Sequence, residues 1–282
     1  MSRGWSPLLL TLALGTACGT PPRADQRAAM LVQKGRLEEA ARLLREQLAR
    51  EPDDHRARQQ LIRTLALSGD MSAVKREVDA FATRVGPRDP RPWIELGHAF
   101  EIGHSYEEAL AAYDRAAQIA PKDPLGPRTG GMRAARWGEA ELAKPRLEEA
   151  LRRDARDAEV WHALGLVRLR LGDSAGAELA YRSGLAADPT ALENRVGLAT
   201  VALLRKDDEA ALREYDAILA QRPRFADAQL GRAYALLRLG RLEDAELAVA
   251  AAERGGASPG VIRRQRSLLQ RLKSRQKPQT NR

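Results

Sequence analysis

Several kinds of residue are scarce in this chain of 282 residues. Cysteine occurs once, at Cys18, so no disulfide can form within the chain. Aromatic residues make up only 4% of the sequence, and no run of alternating Val, Ile or Thr indicates a β-strand. Alanine, leucine, arginine and glutamate are abundant instead, which favours helix over sheet. These features together predict an all-α protein.

Sequence signatures of catalysis are also absent. There is no glycine-rich phosphate loop, no GxSxG nucleophile motif, no HExxH zinc motif and no CxxC pair. The four histidines are dispersed, and His98 and His104 lie across a predicted turn rather than four residues apart on one helical face. The sequence therefore predicts a protein that is not an enzyme, holds no metal or cofactor and takes no small-molecule substrate.

Positive charge is concentrated at one end of the chain. The sequence has 47 Lys and Arg against 38 Asp and Glu, a formal net charge of +9. Nine of the basic residues and no acidic residue fall in 254–282, so the remainder is neutral. A neutral body argues against nucleic acid as a partner, although a basic chain would otherwise favour one.

The most informative stretch, residues 90–123, has the pattern of two amphipathic helices joined by a tight turn. Apolar and small residues recur in both halves at spacings of three and four. Gly103 is predicted to end the first helix in the left-handed conformation, and Pro121 to stop the second. The residues that carry the pattern are Trp93, Leu96, Gly97, Phe100, Tyr106, Ala109, Tyr113, Ala116 and Pro121.

This stretch resembles the tetratricopeptide repeat, a helical hairpin with a period of 34 residues. The pattern recurs in about seven units, which begin near residues 21, 55, 90, 124, 158, 192 and 226. The resemblance implies a right-handed α-solenoid over residues 24–259, closed by a polar capping helix over 260–273. Residues 274–282 contain no apolar side chain and are predicted to be a disordered basic tail.

The fourth unit, residues 124–157, matches the repeat poorly. Gly126, Pro127, Gly130 and Gly131 fall in its first helix. Glycine costs about 1 kcal/mol relative to alanine in a helix, and an interior proline costs about 3. The sequence therefore predicts a weak helix here, and a bend or mobile point in the solenoid.

In the tetratricopeptide family the first helix of each unit lines the concave surface. Arginine recurs at the inward-facing positions of this chain, beside apolar and aromatic residues. That mixture suits an extended acidic segment of a partner protein, because arginine binds carboxylates in a bidentate manner. The alternative is that these arginines are merely solvated. The predicted groove residues are Arg56, Arg63, Arg91, His98, Arg128, Met132, Arg136, His162, Leu166, Arg170, Tyr234 and Arg238.

Residues 1–17 have the three parts of an export signal. Arg3 supplies a positive charge, Leu8 to Leu14 form an apolar core, and small residues precede Cys18. The apolar run is too short to anchor the chain across a hydrocarbon layer of about 30 Å. This start resembles the bacterial lipobox, in which the cysteine receives a diacylglycerol, although Gly15 stands where that family prefers leucine.

The lipobox resemblance implies a protein held by lipid at Cys18, with residues 18–23 as a tether. Acyl chains such as palmitate contribute about 0.8 kcal/mol per buried methylene, so several chains hold a protein firmly on a membrane. The implied location is the periplasmic face of the bacterial envelope, and Gly19 favours the outer membrane because enteric inner-membrane lipoproteins carry aspartate there.

The two resemblances together imply a scaffold that assists assembly of an envelope complex, of the kind that serves pilus secretins or cell-wall enzymes. The alternative is a soluble periplasmic adaptor that is cleaved after Ala17 and carries no lipid.

The mass of the mature N-terminus distinguishes these two alternatives. We expect a diacylglyceryl-modified Cys18 as the first residue, and globomycin should block its processing. An unmodified chain that begins at Cys18 and matures normally in the presence of globomycin would reject the lipid anchor.

Overall fold

A computed structural model describes residues 23–276 of the chain. Residues 1–22, with the predicted export signal and Cys18, and residues 277–282 lie outside the described residues. Between residues 23 and 276 the secondary structure is helical throughout, as predicted. The helices are α1 Ala24–Gln33, α2 Leu37–Arg50, α3 His55–Leu67, α4 Met71–Val85, α5 Arg91–Ile102, α6 Tyr106–Ile119, α7 Leu125–Trp137, α8 Ala140–Arg153, α9 Ala158–Arg170, α10 Ser174–Ala187, α11 Leu192–Leu204, α12 Asp208–Gln221, α13 Ala226–Arg238, α14 Leu242–Arg254 and α15 Pro259–Gln276.

Short turns join these helices into seven consecutive pairs, from α1 and α2 to α13 and α14, and α15 follows the last pair. Each helix packs against the next one in the chain. The first helices of neighbouring pairs also contact each other, for example α7 with α9 and α9 with α11. The chain is therefore an α-solenoid whose first helices are crowded together on the inner side.

Aspartates mark the starts of several helices. The side chain of Asp54 accepts a hydrogen bond from the backbone N–H of Ala57 at 2.9 Å, and Asp70 accepts one from Ala73 at 2.8 Å. Asp157, Asp173 and Asp207 cap α9, α10 and α12 in the same way. These carboxylates accept hydrogen bonds from N–H groups that have no partner within the helix. The aspartates therefore fix where these helices begin.

The turn within each of the seven described pairs contains one residue with positive φ. Gly172 has this role after α9, with φ of 80°. The prediction that Gly103 has it after α5 is wrong, because Gly103 has φ of −81° and the next residue, His104, has φ of 60°. Lys206 takes the equivalent place after α11. In these three turns the residue after the helix cap adopts the left-handed conformation, whereas after α7 the cap Gly138 does so itself, with φ of 95°.

Buried tyrosines of the second helices lie directly against glycines of the first helices. A Cβ added to Gly97 would overlap the ring of Tyr113, and a Cβ on either Gly165 or Gly197 would overlap Tyr181. Gly165 belongs to the same pair as Tyr181, whereas Gly197 belongs to the next pair. The tyrosine ring thus fills the space between two consecutive first helices.

The helix predicted to be weak, α7, is continuous from Leu125 to Trp137. Its glycines occupy places where another chain segment comes very close. A Cβ on Gly126 would meet the backbone nitrogen of Ala117 at 2.5 Å, and one on Gly131 would meet the side chain of Leu147 at 2.8 Å. Close packing against α6 and α8 thus explains glycines that would weaken an isolated helix.

The last helix is longer than the predicted capping helix. It begins at Pro259 and reaches Gln276, so residues 274–276 are helical although the sequence assigned them to a disordered tail. Lys273 near its end pairs with Glu246 of α14 at 2.6 Å. Ile262 and Leu269 are buried against the last pair, which is the role expected of a cap.

Replacing Gly97 with alanine should destabilise the fold by about 1–3 kcal/mol, because the new methyl group overlaps the fully buried ring of Tyr113. Gly103→Ala is the matched control, since its nearest neighbour would lie 3.5 Å away, an ordinary contact. Urea unfolding measures both, and equal stabilities of the two variants would contradict the packing described here.

Candidate partner-binding groove

A cavity of about 630 Å³ opens on the inner side of the solenoid between α5, α7 and α9. We call it the central cavity. It brings together seven of the twelve residues predicted to line the groove. These are His98, Arg128, Met132, Arg136, His162, Leu166 and Arg170. Thr129, Arg133, Ala135, Glu159, Ala163 and Val167 complete its walls.

The spacing of these residues explains why they share one surface. Arg128, Met132 and Arg136 follow each other at intervals of four along α7, and so do His162, Leu166 and Arg170 along α9. Residues four apart in an α-helix lie on the same face. Because α7 and α9 also contact each other, the two rows form adjacent walls of the cavity.

Positive charge exceeds negative charge in the central cavity. Four arginines and one glutamate, Glu159, line it. Arg128 is neutralised, since it pairs with Asp157 at 2.7 Å and with Glu159. Arg133 pairs with Glu101 at 3.2 Å. Among the described residues Arg136 has no carboxylate within 4 Å, and its side chain is exposed, so its charge is available to a ligand.

Arg170 links two first helices. Its guanidinium donates a hydrogen bond to the carbonyl of Ala135 in the last turn of α7, at 2.7 Å. Arg238 makes the same link further along, to the carbonyl of Leu203 at 3.0 Å, and pairs with Asp208 at 3.1 Å. Carbonyls at the end of a helix have no partner within it, so these arginines stabilise the stacking of the repeats.

Apolar surface lies beside the arginines. Leu166 is 43% exposed on the cavity wall, and Met132 is half-buried. The ring of His162 lies against that of Tyr181, with the ring centres 5.9 Å apart. The cavity therefore offers a leucine and a methionine for contact area next to a free guanidinium.

A buried carboxylate adjoins the cavity. Glu95 of α5 is only 3% exposed, and it pairs with Arg63 at 3.1 Å and lies 3.6 Å from Nδ1 of His98. Burial disfavours the charged carboxylate, but the contacts with His98 and Arg63 outweigh it and lower the pKa of Glu95. Arg63 is therefore needed to neutralise a buried charge.

The other predicted groove residues lie away from the central cavity. Arg56 lies 3.8 Å from Asp25 at the first pair. Arg91 pairs with Asp89 at 2.5 Å and lies over the ring of Phe81 in α4. Tyr234 lines a separate cavity beside α15. The predicted residues of α7 and α9 thus line one cavity, whereas Arg91 is turned towards the preceding helix.

Arg133 was missed by the sequence prediction although it lines the cavity. It lies one residue beyond Met132, at the edge of the inward-facing row, and no feature of the sequence marks it.

Within residues 23–276 no group of three or more His, Cys, Asp or Glu could hold a metal ion. None of the helices in that range is both long enough and apolar enough to cross a membrane.

A family model described as "Tetratricopeptide repeat" matches residues 75–124, 130–191 and 197–261, which is more than half of the chain. The chain belongs to the tetratricopeptide-repeat family. Members of this family generally serve as protein-interaction scaffolds.

A curated protein is similar to part of this chain. It is anaphase-promoting complex subunit 3 of Schizosaccharomyces pombe, and the two sequences are 26% identical over 133 residues. The aligned stretch covers 46% of this chain and 20% of that protein. The chain thus matches about one fifth of the length of this curated relative.

Solved structures share the fold. The C-terminal part of a TPR repeat-containing protein from Cytophaga hutchinsonii has a TM-score of 0.62 at 14% identity, over 85% of this chain and 98% of that one. YrrB, described as a TPR protein with an unusual peptide-binding site, has a TM-score of 0.55 at 19% identity, over 66% of this chain and 96% of that one.

His162 should make the stability of this tetratricopeptide solenoid depend on pH. Burial lowers its pKa below the usual 6.5, against weaker opposing effects of Glu193 and Glu159. The unfolded chain then binds the proton more tightly, so stability is lost as the pH falls below about 6.5. Between pH 7.5 and 5.5 the melting temperature should fall further for the natural chain than for His162→Gln. Parallel curves for the two proteins would contradict this assignment.

Proposed function

We propose that this protein is a non-catalytic scaffold that binds an extended, acidic segment of a partner protein in the central cavity. The observation that carries the proposal is the exposed guanidinium of Arg136, which has no carboxylate partner among the described residues and lies beside Leu166 in an open cavity. A partner carboxylate would supply the missing charge, and apolar side chains would cover the leucine.

An extended segment suits the cavity better than a folded surface. The walls are rows of side chains that run along neighbouring helices, and they are open along the inner side of the solenoid. YrrB, which shares this fold at 19% identity, is itself described as having a peptide-binding site. That description supports a peptide as the class of ligand, and the unpaired arginine in the cavity wall favours acidic residues in that peptide.

The proposed setting is the periplasmic face of the bacterial outer membrane, with lipid on Cys18. It depends on the export-signal pattern and on the small residues before the sole cysteine. In that setting the solenoid would hold components of an envelope complex, related to pilus secretins or to the cell wall, near the membrane during assembly.

Arg136→Glu should weaken binding of a fluorescein-labelled peptide with alternating glutamate and leucine by about tenfold or more, because a stabilising charge pair becomes a repulsion. Arg136 is chosen because Arg63 and Arg170 also support the fold through Glu95 and Ala135. Fluorescence anisotropy measures the affinity.

The matched control is Arg213→Glu. Arg213 is exposed on α12, a second helix, and has no carboxylate within 4 Å among the described residues, so the change in charge is identical. If both variants lost the same affinity, the peptide would be responding to net charge and the central cavity would not be its site.

A photo-crosslinking amino acid extends the test to the natural partner. Placed at Leu166 it lies in the cavity, whereas at Leu179 of α10, which is 63% exposed, it lies on a second helix. We expect a partner adduct from position 166, lost on adding Arg136→Glu, and none from position 179.

A further inference from the structure

The last helix carries the same side-chain spacing as the walls of the central cavity. Arg263, Ser267 and Arg271 follow each other at intervals of four along α15. With Tyr234 of α13 they line a second cavity of about 510 Å³, which we call the end cavity. α15 contacts both helices of the last pair, α13 and α14. It therefore occupies the place that the first helix of an eighth pair would have.

Five of the six cations on α15 are divided between two edges of the helix. On the edge towards α14, Arg266 pairs with Glu253 at 2.5 Å and Lys273 pairs with Glu246 at 2.6 Å. On the edge towards the end cavity, Arg263, Arg264 and Arg271 have no carboxylate within 4 Å among the described residues. Positive charge is thus neutralised on one side and left available on the side that faces α13.

An aromatic ring adjoins these free cations. Tyr234 is 39% exposed, and the guanidinium of Arg238 lies over its ring at 5.8 Å from the centre. Tyrosine and arginine side by side are a frequent combination at protein-binding surfaces. Among residues 23–276, no carboxylate lines the end cavity, in contrast to the central cavity with its Glu159.

We propose that the end cavity is a second binding site for acidic peptide, so that α15 is both a cap and the eighth helix of the groove. The class of occupant rests on the proposed function, whereas the site itself is separate from the central cavity. The free arginines line the end cavity together with Tyr234 of α13, on the inner side of the solenoid. A flat bilayer cannot enter a concave surface, so the occupant is a peptide rather than a membrane.

The spacing of the two cavities specifies the partner further. Packed helices lie about 8–10 Å apart, and three such steps separate the α7–α9 wall from the α13–α15 wall. The centres of the cavities are then roughly 25–30 Å apart, a distance that about eight residues of extended chain would cover at about 3.3 Å each. We therefore expect a partner with two acidic stretches separated by about eight residues or more.

Calorimetry with two synthetic peptides tests this proposal on the chain produced without residues 1–22, so that no lipid anchor is present. One peptide carries a single tract of four glutamates, and the other carries two such tracts joined by ten Gly and Ser residues. The two-tract peptide should bind about tenfold tighter or more, because its second contact is intramolecular. Arg263→Glu with Arg271→Glu should abolish that advantage.

The control variant combines Arg76→Glu with Arg213→Glu, which changes the charge equally at exposed positions of α4 and α12. If the Arg263 and Arg271 variant binds like this control while Arg136→Glu weakens binding, the end cavity is not a site and the proposed function stands. If only the Arg263 and Arg271 variant weakens binding, the end cavity stands and the central cavity fails.

A membrane role is the remaining outcome. Vesicles of phosphatidylglycerol and phosphatidylcholine are added to the same proteins. If the Arg263 and Arg271 variant loses vesicle binding but keeps the full affinity for the two-tract peptide, α15 contacts lipid and the proposal is overturned. Circular dichroism of each variant confirms that the helices have formed.

Discussion

The close contact of tyrosine with glycine is the constraint on which the rest of the structure depends. Tyr113, Tyr181 and Tyr215 lie on second helices, and each ring lies where a glycine of a first helix leaves room for it. Since Tyr181 touches Gly165 of its own pair and Gly197 of the next, one ring sets the distance between two consecutive first helices. A helix pair has too little apolar surface to be stable alone, and in these three pairs the tyrosine also connects the pair to the one that follows it.

Crowding of the first helices has a direct consequence for the groove. Side chains at intervals of four form rows along each first helix, and neighbouring rows become adjacent walls. Arginine in such a row has two possible uses. Arg170 and Arg238 reach the preceding first helix and bind its terminal carbonyls, whereas Arg136 and Arg271 remain directed to solvent without a carboxylate partner among the described residues. The first use holds the repeats together, and the second provides charge for a ligand.

The fold could be predicted almost entirely from the sequence. The repeat pattern recurs about seven times, so the units that match it poorly do not obscure it. The glycines of α7 led to the prediction of a weak helix, because glycine destabilises an isolated helix. In the solenoid Gly126 and Gly131 instead permit contact with Ala117 and Leu147. The left-handed turn residue after α5 was misplaced by one position for a related reason: a histidine can adopt a conformation that glycine usually provides.

The groove was only partly predictable. The register of the repeats predicted which residues of α7 and α9 face inward. It did not predict which of the groove arginines pair with carboxylates. The carboxylates that neutralise them, such as Asp157 for Arg128 and Glu95 for Arg63, are about 30 residues away in sequence and belong to the next pair. The inward face of α15 was not predicted, because the polar sequence of this helix was interpreted only as a cap on the last pair.

Whether the inner walls of the solenoid are the binding surface can be measured directly by nuclear magnetic resonance. Backbone amide shifts of the labelled chain would be followed while a glutamate-rich peptide is added. Large changes should be confined to first helices, above all α7 and α9, with the second helices α8, α10 and α12 unaffected. Changes concentrated on those second helices, or spread evenly over the chain, would contradict a binding surface formed by the first helices.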